Sequence, residues 1–421
     1  MGQLIAQYRG MPNVTRLLLV NQFSINFGFY LLMPYLAQHL AGTLGLAAWL
    51  VGLVLGVRNL SQQGMFAVGG ALADRFGYKP LIVAGCVLRT TGFAMLALVE
   101  SVPALVIASA ATGLAGALFN PAVRAYLALD SADRRVEAFA LFNVFYQAGI
   151  LAGPLVGLAL TGASFRLTCA VAAAVFAVLS IVQFRALPPQ EASTRSENSI
   201  LAQWRTVVAN RPFLLFATAM ICSYVLSFQV YLALPLEVRR VGGDGNATTI
   251  GVAALFVASG LLTVLAQTRI TAWCKTRIPA GHALAVGLVL MASAFVPLLV
   301  TSTLGPSGLM ASAVLPCLAA ALLLAVGTMF AFPFEMDTIV ALAGGRLVAT
   351  HYGIYNTICG IGITVGNLLT GAALDEARAR GLSALPWLSL ITLGLLSAAM
   401  LAVLHRTGRL TPADSPVAVH S

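Results

Sequence analysis

The sequence predicts an all-α integral membrane protein with twelve transmembrane helices in two pseudo-symmetric six-helix bundles. Three observations lead to this fold class. Of the 421 residues, 59% are apolar and only 9% are charged, apolar runs of membrane-spanning length follow one another along the chain, and its two halves repeat weakly. A water-soluble domain needs a polar shell, so a chain this poor in ions is predicted to be solvated mainly by lipid.

The apolar runs define the domain organisation. A spanning helix takes about 20 residues, and the runs of that length are residues 16–38, 48–72, 80–99, 103–127, 136–161, 164–184, 212–236, 248–268, 279–300, 311–341, 350–373 and 384–405. The polar stretch 185–211 is predicted to be a cytoplasmic linker with a short surface helix at 200–208. It separates an N-terminal bundle (1–184) from a C-terminal bundle (212–405), which a cytoplasmic tail (406–421) follows.

The basic residues orient these segments. The net charge of +10 is spread over short loops, which argues against a nucleic-acid-binding stripe. Most Lys and Arg residues fall in loops on the side that holds both chain ends. The positive-inside rule makes that side the cytoplasm, so both termini are predicted to be cytoplasmic in a multi-pass protein of a bacterial plasma or inner membrane.

Matching residues recur in the two halves at an offset that is constant within each pair of segments, 201 residues for segments one and seven and 213 residues for segments five and eleven. The matched pairs are Tyr30 and Tyr231, Leu31 and Leu232, and Pro34 and Pro235 in segments one and seven, and Asn143 and Asn356, Gly149 and Gly362, and Gly153 and Gly366 in segments five and eleven. Duplicated six-helix halves are expected of alternating-access carriers, which bind substrate between the halves near the bilayer midplane.

A charged turn, Gly70-Ala-Leu-Ala-Asp74-Arg75-Phe-Gly77-Tyr78-Lys79, separates the second and third segments. Bilayer hydrocarbon penalises every ion, so the turn is predicted to be a cytoplasmic hinge. Asp74 suits a helix N-terminus, where an anion is favourable. Arg75 and Lys79 suit carboxylates in neighbouring loops, for which Asp130 is a candidate. This cluster is predicted to latch the inward gate; the alternative is an ordinary solvated loop.

This turn resembles the loop between helices 2 and 3 that marks the major facilitator superfamily of transporters. The resemblance implies that Asp74 contacts the eleventh helix and that Gly77 is the turn glycine. Tyr78 departs from the basic residue usual in the family, so part of the latch is expected to shift to Lys79.

The fifth segment carries Gly149, Gly153, Pro154 and Gly157. Glycines at intervals of four fall on one helix face and allow close helix approach, and Pro154 is predicted to kink the helix. The pattern resembles the signature of antiporters in the superfamily, with generic tight packing as the alternative.

The charged turn is flanked by Arg58-Asn-Leu-Ser-Gln62-Gln63-Gly64 and Leu88-Arg89-x-x-Gly92-Phe93-Ala94. Together with the turn, these stretches resemble the bacterial twelve-helix drug:proton antiporter branch. One departure is the stretch Ser109-Ala-Ala-Thr112-Gly113. There the family carries an arginine that is tied to proton coupling, so the family mechanism does not carry over whole.

Two arginines lie halfway along the second and third segments. Arg58 and Arg89 are expected to replace the missing arginine in proton coupling or to bind an anionic substrate, because a membrane arginine must face protein or a wet cavity. The alternative is structural bonding to carbonyl groups and to Asn59, Gln62 or Gln63.

Glu335 and Asp337 in the tenth segment are the candidate proton carriers. A carboxyl group buried in a membrane protein can load a proton on one side and release it on the other. Pairing with Arg346 at the cytoplasmic mouth is the alternative interpretation.

The predicted substrate cavity combines aromatic and amide side chains. Aromatic rings offer adaptable apolar and cation–π contacts, as a site for hydrophobic drugs needs. The candidates are Asn26, Phe27, Tyr30, Asn143, Tyr146, Gln147, Phe228 and Tyr231. Lipid-facing positions and core packing are the alternatives.

The sequence therefore predicts a secondary active transporter, most consistent with proton-coupled efflux of drugs or small amphiphilic compounds. The alternative is a metabolite or organic-anion carrier of the same superfamily. An enzyme is not expected, since the histidines are dispersed, the six cysteines lack metal-binding spacing and no phosphate-binding loop occurs. The expected partners are the bilayer, a small-molecule substrate and protons, with the proton gradient in place of a cofactor, no metal, and a monomeric chain.

Overall fold

A computed structural model describes residues 2–32, 35, 36, 39–99, 101–189, 196–242, 246–304 and 310–410. Within these ranges all regular structure is helical. The α-helices are α1 (Gly2–Arg9), α2 (Asn13–Tyr30), α3 (Ala48–Phe76), α4 (Tyr78–Leu98), α5 (Val102–Ser131), α6 (Arg135–Ala163), α7 (Phe165–Ala186), α8 (Ile200–Ala209), α9 (Arg211–Phe228), α10 (Ala233–Gly242), α11 (Asn246–Arg277), α12 (Ala280–Ser293), α13 (Val296–Leu304), α14 (Met310–Ala343), α15 (Val348–Arg380) and α16 (Leu385–Arg406). A π-helical turn (His39–Thr43) and a 3₁₀ turn (Ala132–Arg134) are also present.

Each predicted apolar segment overlaps one helix or two consecutive helices, and the first of them, 16–38, runs past the end of α2 at Tyr30. The seventh segment comprises α9 and α10, and the ninth comprises α12 and α13. Proline accounts for both breaks. Pro235 and Pro297 lie in the first turn of the second helix of each pair, where a missing N–H costs no intrahelical hydrogen bond.

The described helices are suited to a membrane. Nine helical stretches in the described ranges have the length and hydropathy to cross one, and a single stretch of the nine runs through both α5 and α6. The chain is therefore an all-helical, multi-pass membrane protein. Pro34, residues 190–195 of the predicted linker and residues 411–421 of the predicted tail lie outside the described residues.

The first compact unit comprises Met1–Ala209 together with Gly345–Thr357. In it α5 packs against α3 and α4, α7 packs against α4, and α2 packs along α6. Fully buried rings form its core, namely Phe93, Phe119, Phe139 and Phe176.

The second compact unit comprises Asn210–Gly344 and Ile358–Ser421. In it α12 packs against α14 and α16, and α11 packs against α14. Its buried rings are Phe213, Phe216, Phe295 and Trp387. The division between the units falls inside α15, so the first turns of that helix belong to the first unit.

Candidate functional site

The carboxylate of Asp74 lies at the N-terminus of α15. Its Oδ2 accepts hydrogen bonds from the backbone N–H of Thr350 at 2.7 Å and from Thr350 Oγ1 at 2.6 Å, and its Oδ1 accepts one from the N–H of Ala349 at 3.2 Å. A helix leaves its first N–H groups without intrahelical partners, and the positive end of its dipole favours an anion. Asp74 is only 2% exposed. The predicted contact between Asp74 and the eleventh segment is confirmed.

Two glycines let α3 and α15 meet backbone to backbone beside Asp74. A Cβ atom added at Gly70 would strike the carbonyl group of Ala349, and one added at Gly353 would strike the carbonyl group of Phe66. A backbone cannot swing aside as a flexible side chain can, so neither position admits a side chain at this helix separation. The close approach brings the N–H groups of α15 within reach of the carboxylate.

Residues of the predicted linker surround the same contact. Oγ1 of Thr350 lies 3.1 Å from Oε1 of the buried Gln203 in α8, and the carbonyl oxygen of Asp74 accepts a hydrogen bond from the N–H of Ser196 at 2.8 Å. Trp204 Nε1 donates to a carbonyl of α3 at 3.0 Å. The surface helix predicted at 200–208 is present as α8, and these bonds hold it against α3 and α15.

The turn between α3 and α4 is made at Gly77, whose φ of 95° lies in a region that side chains rarely adopt. The next residue, Tyr78, is buried, and its hydroxyl lies 3.3 Å from Oδ1 of Asp74. The tyrosine that departs from the family pattern thus supplies a further hydrogen-bond donor to the carboxylate.

The remaining charged residues of the turn have aromatic neighbours. The guanidinium of Arg75 lies 5.5 Å from the ring centre of Phe76, and the ammonium of Lys79 lies 5.4 Å from that of Phe184. Among the described residues, no ion pair joins either cation to Asp130. The structure therefore brings Asp74 to α15 but does not bring Arg75 or Lys79 to the carboxylate proposed for them.

Asp130 instead repeats the arrangement of Asp74 at another helix. Its Oδ2 accepts hydrogen bonds from the backbone N–H of Thr15 at 2.8 Å and from Thr15 Oγ1 at 2.6 Å. Thr15 is the third residue of α2, as Thr350 is the third residue of α15. Each aspartate thus caps the first turn of a helix distant in sequence through the same two donors.

The glycines of α6 lie along α2. A Cβ atom would lie 2.5 Å from the carbonyl oxygen of Phe23 if added at Gly149, and 2.8 Å from that of Phe27 if added at Gly153. At Gly157 it would strike the carbonyl of Leu31, the residue that directly follows α2. Pro154 lies within α6, which continues through it, and its carbonyl accepts a hydrogen bond from the hydroxyl of Tyr35 at 2.6 Å. The glycines of α6 therefore form a close contact between α6 and α2.

Arg58 is half-buried and bonds to its own helix. Its Nη1 donates to Oδ1 of Asn59 at 2.8 Å and its Nη2 to Oε1 of Gln62 at 2.9 Å. Asn59 and Gln62 are two of the three amide residues that the sequence analysis named as alternative bonding partners. Its guanidinium carbon also lies 4.4 Å from the ring centre of Phe29.

Arg89, at the middle of α4, is 5% exposed. Its guanidinium carbon lies 5.3 Å from the ring centres of both Phe29 and Phe176. No hydrogen-bond acceptor among the described residues serves its Nε or Nη1, and the Nε of Arg58 is likewise without one. A buried polar group without a hydrogen-bond partner costs free energy of folding.

Aromatic contacts alone do not offset the cost of these two charges. A mid-membrane arginine costs about 2.5–3.5 kcal/mol on insertion scales, whereas a cation–π contact returns about 0.5–2 kcal/mol. Because both guanidinium carbons of Arg58 and Arg89 lie over the same Phe29 ring, they are no more than about 10 Å apart, where like charges repel by about 2 kcal/mol at an effective dielectric constant of 20.

A third arginine, Arg124, joins this region of the first unit, although sequence reasoning gave it no role. Its Nη1 donates to Oδ1 of Asn356 at 2.8 Å, and its Nε has no acceptor among the described residues. Tyr146 interacts electrostatically with both Arg124 and Arg58 and is hydrogen-bonded to Tyr30. Arg124 lies inside an apolar segment, and that position was the sequence signal that could have marked it.

The two predicted proton carriers lie in α14 of the second unit. Glu335 is 3% exposed, and Asp337, two residues further on, is half-buried. Glu335 is therefore largely removed from solvent by neighbouring protein, and Asp337 is partly removed.

The predicted cavity residues are divided between the units. Asn26 is buried and donates to the carbonyl of Gln22 at 2.7 Å, a bond within α2. In the second unit, Phe228 and Tyr231 have ring centres 5.5 Å apart, and Tyr231 is 49% exposed. The first unit contains Asn26, Phe27, Tyr30, Asn143, Tyr146 and Gln147, of which Asn26 and Asn143 are buried and the others half-buried.

These features define a class: a multi-pass helical membrane protein in which a buried aspartate from a charged turn caps a distant helix. Comparison with known proteins agrees with that class. The model of the Major Facilitator Superfamily matches residues 18–367, and the chain belongs to this family.

The relatives are transporters. An uncharacterized MFS-type transporter of Mycobacterium tuberculosis is 54% identical over 395 residues, which cover 94% of each chain. The multidrug resistance protein MdtH of Klebsiella pneumoniae is 30% identical over 381 residues, covering 90% of this chain and 91% of MdtH. MdtH of Shigella dysenteriae is 29% identical over 378 residues, covering 90% of each chain. The chain is a transport protein and not an enzyme.

Proposed function

We propose that this chain is a secondary active transporter that exports drugs or other small amphiphilic compounds by alternating access, driven by proton entry. The observation that carries the proposal is the buried cap that Asp74 places on α15. The cap consists of hydrogen bonds, so it can break and re-form in each transport cycle. Relatives named as multidrug resistance proteins support drugs as the substrate class.

The proposed architecture has twelve spanning helices in two bundles, residues 1–184 and 212–405, with the 185–211 linker and the 406–421 tail in the cytoplasm and the protein in a bacterial inner membrane as a monomer. Single cysteines at Arg75 and Ser193, introduced into a cysteine-free variant, test the orientation. Both are expected to react with a membrane-impermeant thiol reagent in everted vesicles and not in intact cells. Reaction of the two positions on opposite sides would contradict this topology.

Proton coupling is assigned to Glu335 and Asp337, supported by their burial in α14. In everted vesicles, addition of a transported dye is expected to release protons. The Glu335→Gln, Asp337→Asn double variant is expected to lose this release, while Asp133→Asn, which neutralises an exposed carboxylate, retains it. Full proton release from the double variant would remove both carboxylates from the coupling mechanism.

A metabolite or organic-anion carrier is the second candidate, favoured by Arg58 and Arg89, which form no ion pair among the described residues. Susceptibility profiling of a deletion strain and an overexpressing strain against a chemically varied library distinguishes the two. Altered resistance to several unrelated drugs supports export of drugs, whereas a growth defect on one organic acid, with no change in resistance, supports the anion carrier.

A further inference from the structure

We propose that Arg58 and Arg89 form the binding site for a single oxyanion, such as a carboxylate, within the first unit. The inference rests on the proposed transport function in one respect, the identity of the anion. That anion is either the charged end of a transported solute or an inorganic ion. Its physical basis is the uncompensated positive charge between α2, α3, α4 and α7.

The first line of evidence is unused hydrogen-bonding capacity. Arg89 is 95% buried, with its Nε and Nη1 lacking an acceptor among the described residues, as does Nε of Arg58. Guanidinium groups cannot shed their charge, and their planar N–H groups match the oxygens of a carboxylate or similar oxyanion.

The second line of evidence is the charge of the surroundings. The groups that act electrostatically on Arg89 are Cys86, Arg58 and Tyr30, and those that act on Arg58 include Tyr30 and Tyr146. A thiol and two phenols are neutral at pH 7, so among the described residues no carboxylate balances the two cations. An anion from outside the chain would supply the missing negative charge.

The third line of evidence is the shape of the wall beside Arg89. A Cβ atom added at Gly116 of α5 would lie 3.2 Å from Nη2 of Arg89 and 3.1 Å from the side-chain amide of Gln62. Because Gly116 has no side chain, the guanidinium of Arg89 and the amide of Gln62 can occupy the space beside it. Phe29 and Phe176 supply apolar faces on the other sides, which suits an anion carried on an aromatic or aliphatic body.

Equilibrium binding tests the site without a proton gradient, so its failure is distinct from a failure of the efflux proposal. Benzoate, benzylammonium and sulfate are titrated calorimetrically into the purified full chain in a non-ionic detergent. Benzoate is expected to bind and benzylammonium is not. Arg89→Gln and Arg58→Gln are each expected to weaken benzoate binding by about tenfold or more, as for loss of a charged hydrogen bond, whereas Arg205→Gln, an exposed position, leaves it unchanged.

The sulfate titration identifies the source of the anion. Sulfate binding that competes with benzoate supports a site for inorganic and organic oxyanions, and benzoate binding without sulfate binding supports the charged end of an organic solute. Equal affinity for benzoate and benzylammonium, or benzoate binding that survives in both arginine variants, would overturn the proposal.

Thermal unfolding keeps the test informative if an arginine variant folds poorly. Benzoate is expected to raise the melting temperature of the wild-type protein, because a ligand stabilises the state that it binds, and this rise is expected to vanish in Arg58→Gln. An equal rise in Arg58→Gln would count against the site. Arg58 is half-buried and bonded to its own helix, so its replacement perturbs the core least.

Discussion

Replacing Asp74 by alanine is the most direct perturbation of the contact between α3 and α15. The change removes the carboxylate that accepts from the backbone of the first turn of α15, so the N–H groups of Ala349 and Thr350 lose their partners while remaining buried. The Thr350 hydroxyl also loses its 2.6 Å bond. The backbone approach at Gly70 and Gly353 is left in place, which isolates the effect of the carboxylate.

The expected size of the effect follows from these bonds. The two short bonds to Oδ2 contribute about 1.5–3 kcal/mol each, as hydrogen bonds to charged groups do, and the cost of burying the carboxylate offsets part of that sum. Loss of an N-cap alone costs about 0.5–2 kcal/mol. A net weakening of about 2–4 kcal/mol is therefore expected, which shifts the equilibrium between docked and undocked α15 by roughly 30- to 1,000-fold.

Hydrogen exchange measured by mass spectrometry detects weaker docking at the first turn of α15 itself. The first N–H groups of a helix have no intrahelical acceptor, so within the peptide 348–352 the protection of Ala349 and Thr350 reports the contact with Asp74, whereas the N–H of His351 donates to the carbonyl of Leu347. Exchange there is expected to rise by the factor given above in Asp74→Ala. The matched control is Asp130→Ala, which removes the equivalent cap from Thr15 and is expected to speed exchange in α2 only. Unchanged exchange at 348–352, or an equal rise in the control, would refute the reasoning.

Three further outcomes follow from the same structure. Thr350→Val is expected to weaken docking of α15 by about 1.5–3 kcal/mol, seen as faster exchange at 348–352, and wild-type exchange there would contradict the role of the hydroxyl. Gly153→Ala is expected to lower the free energy of unfolding by about 1–3 kcal/mol through overpacking. Thermal melting in detergent compares it with Gly64→Ala, a control position where an added Cβ atom meets nothing within 4 Å. Equal melting temperatures of the two variants would argue against close packing of α6 on α2. Gly77→Ala is expected to cost about 1–3 kcal/mol because the φ of 95° and ψ of 158° at this position form a backbone conformation that alanine rarely adopts, and a melting temperature equal to that of the wild type would show that the turn relaxes.

Segment positions were predictable because the signal for them is local. Each apolar run of about 20 residues carries its own requirement to leave water and to satisfy its backbone internally, and each predicted run overlaps at least one helix. The two broken segments were harder to foresee, since Pro235 and Pro297 also fit an unbroken helix with a kink.

The partner of Asp74 was only half predictable. The charged turn and its resemblance to the family indicated the eleventh helix, and the contact is there. Nothing near Asp74 in sequence indicated that Thr350 would supply two donors, or that Gln203 of the linker would lie beside them. The assignment of Asp130 to Arg75 and Lys79 missed its contact with Thr15, because charge complementarity alone does not say which helix start lies within reach.

By itself, the sequence determined that this chain is helical, lies in a membrane and carries a hinge whose aspartate needs a helix N-terminus, because hydrophobicity and charge act on each segment separately. Only the tertiary structure decided which groups meet: two aspartates each with a threonine, three arginines without an ion-pair partner among the described residues, and glycines against carbonyls. These contacts depend on how closely helices more than a hundred residues apart in sequence can approach, and packing in three dimensions decides that distance.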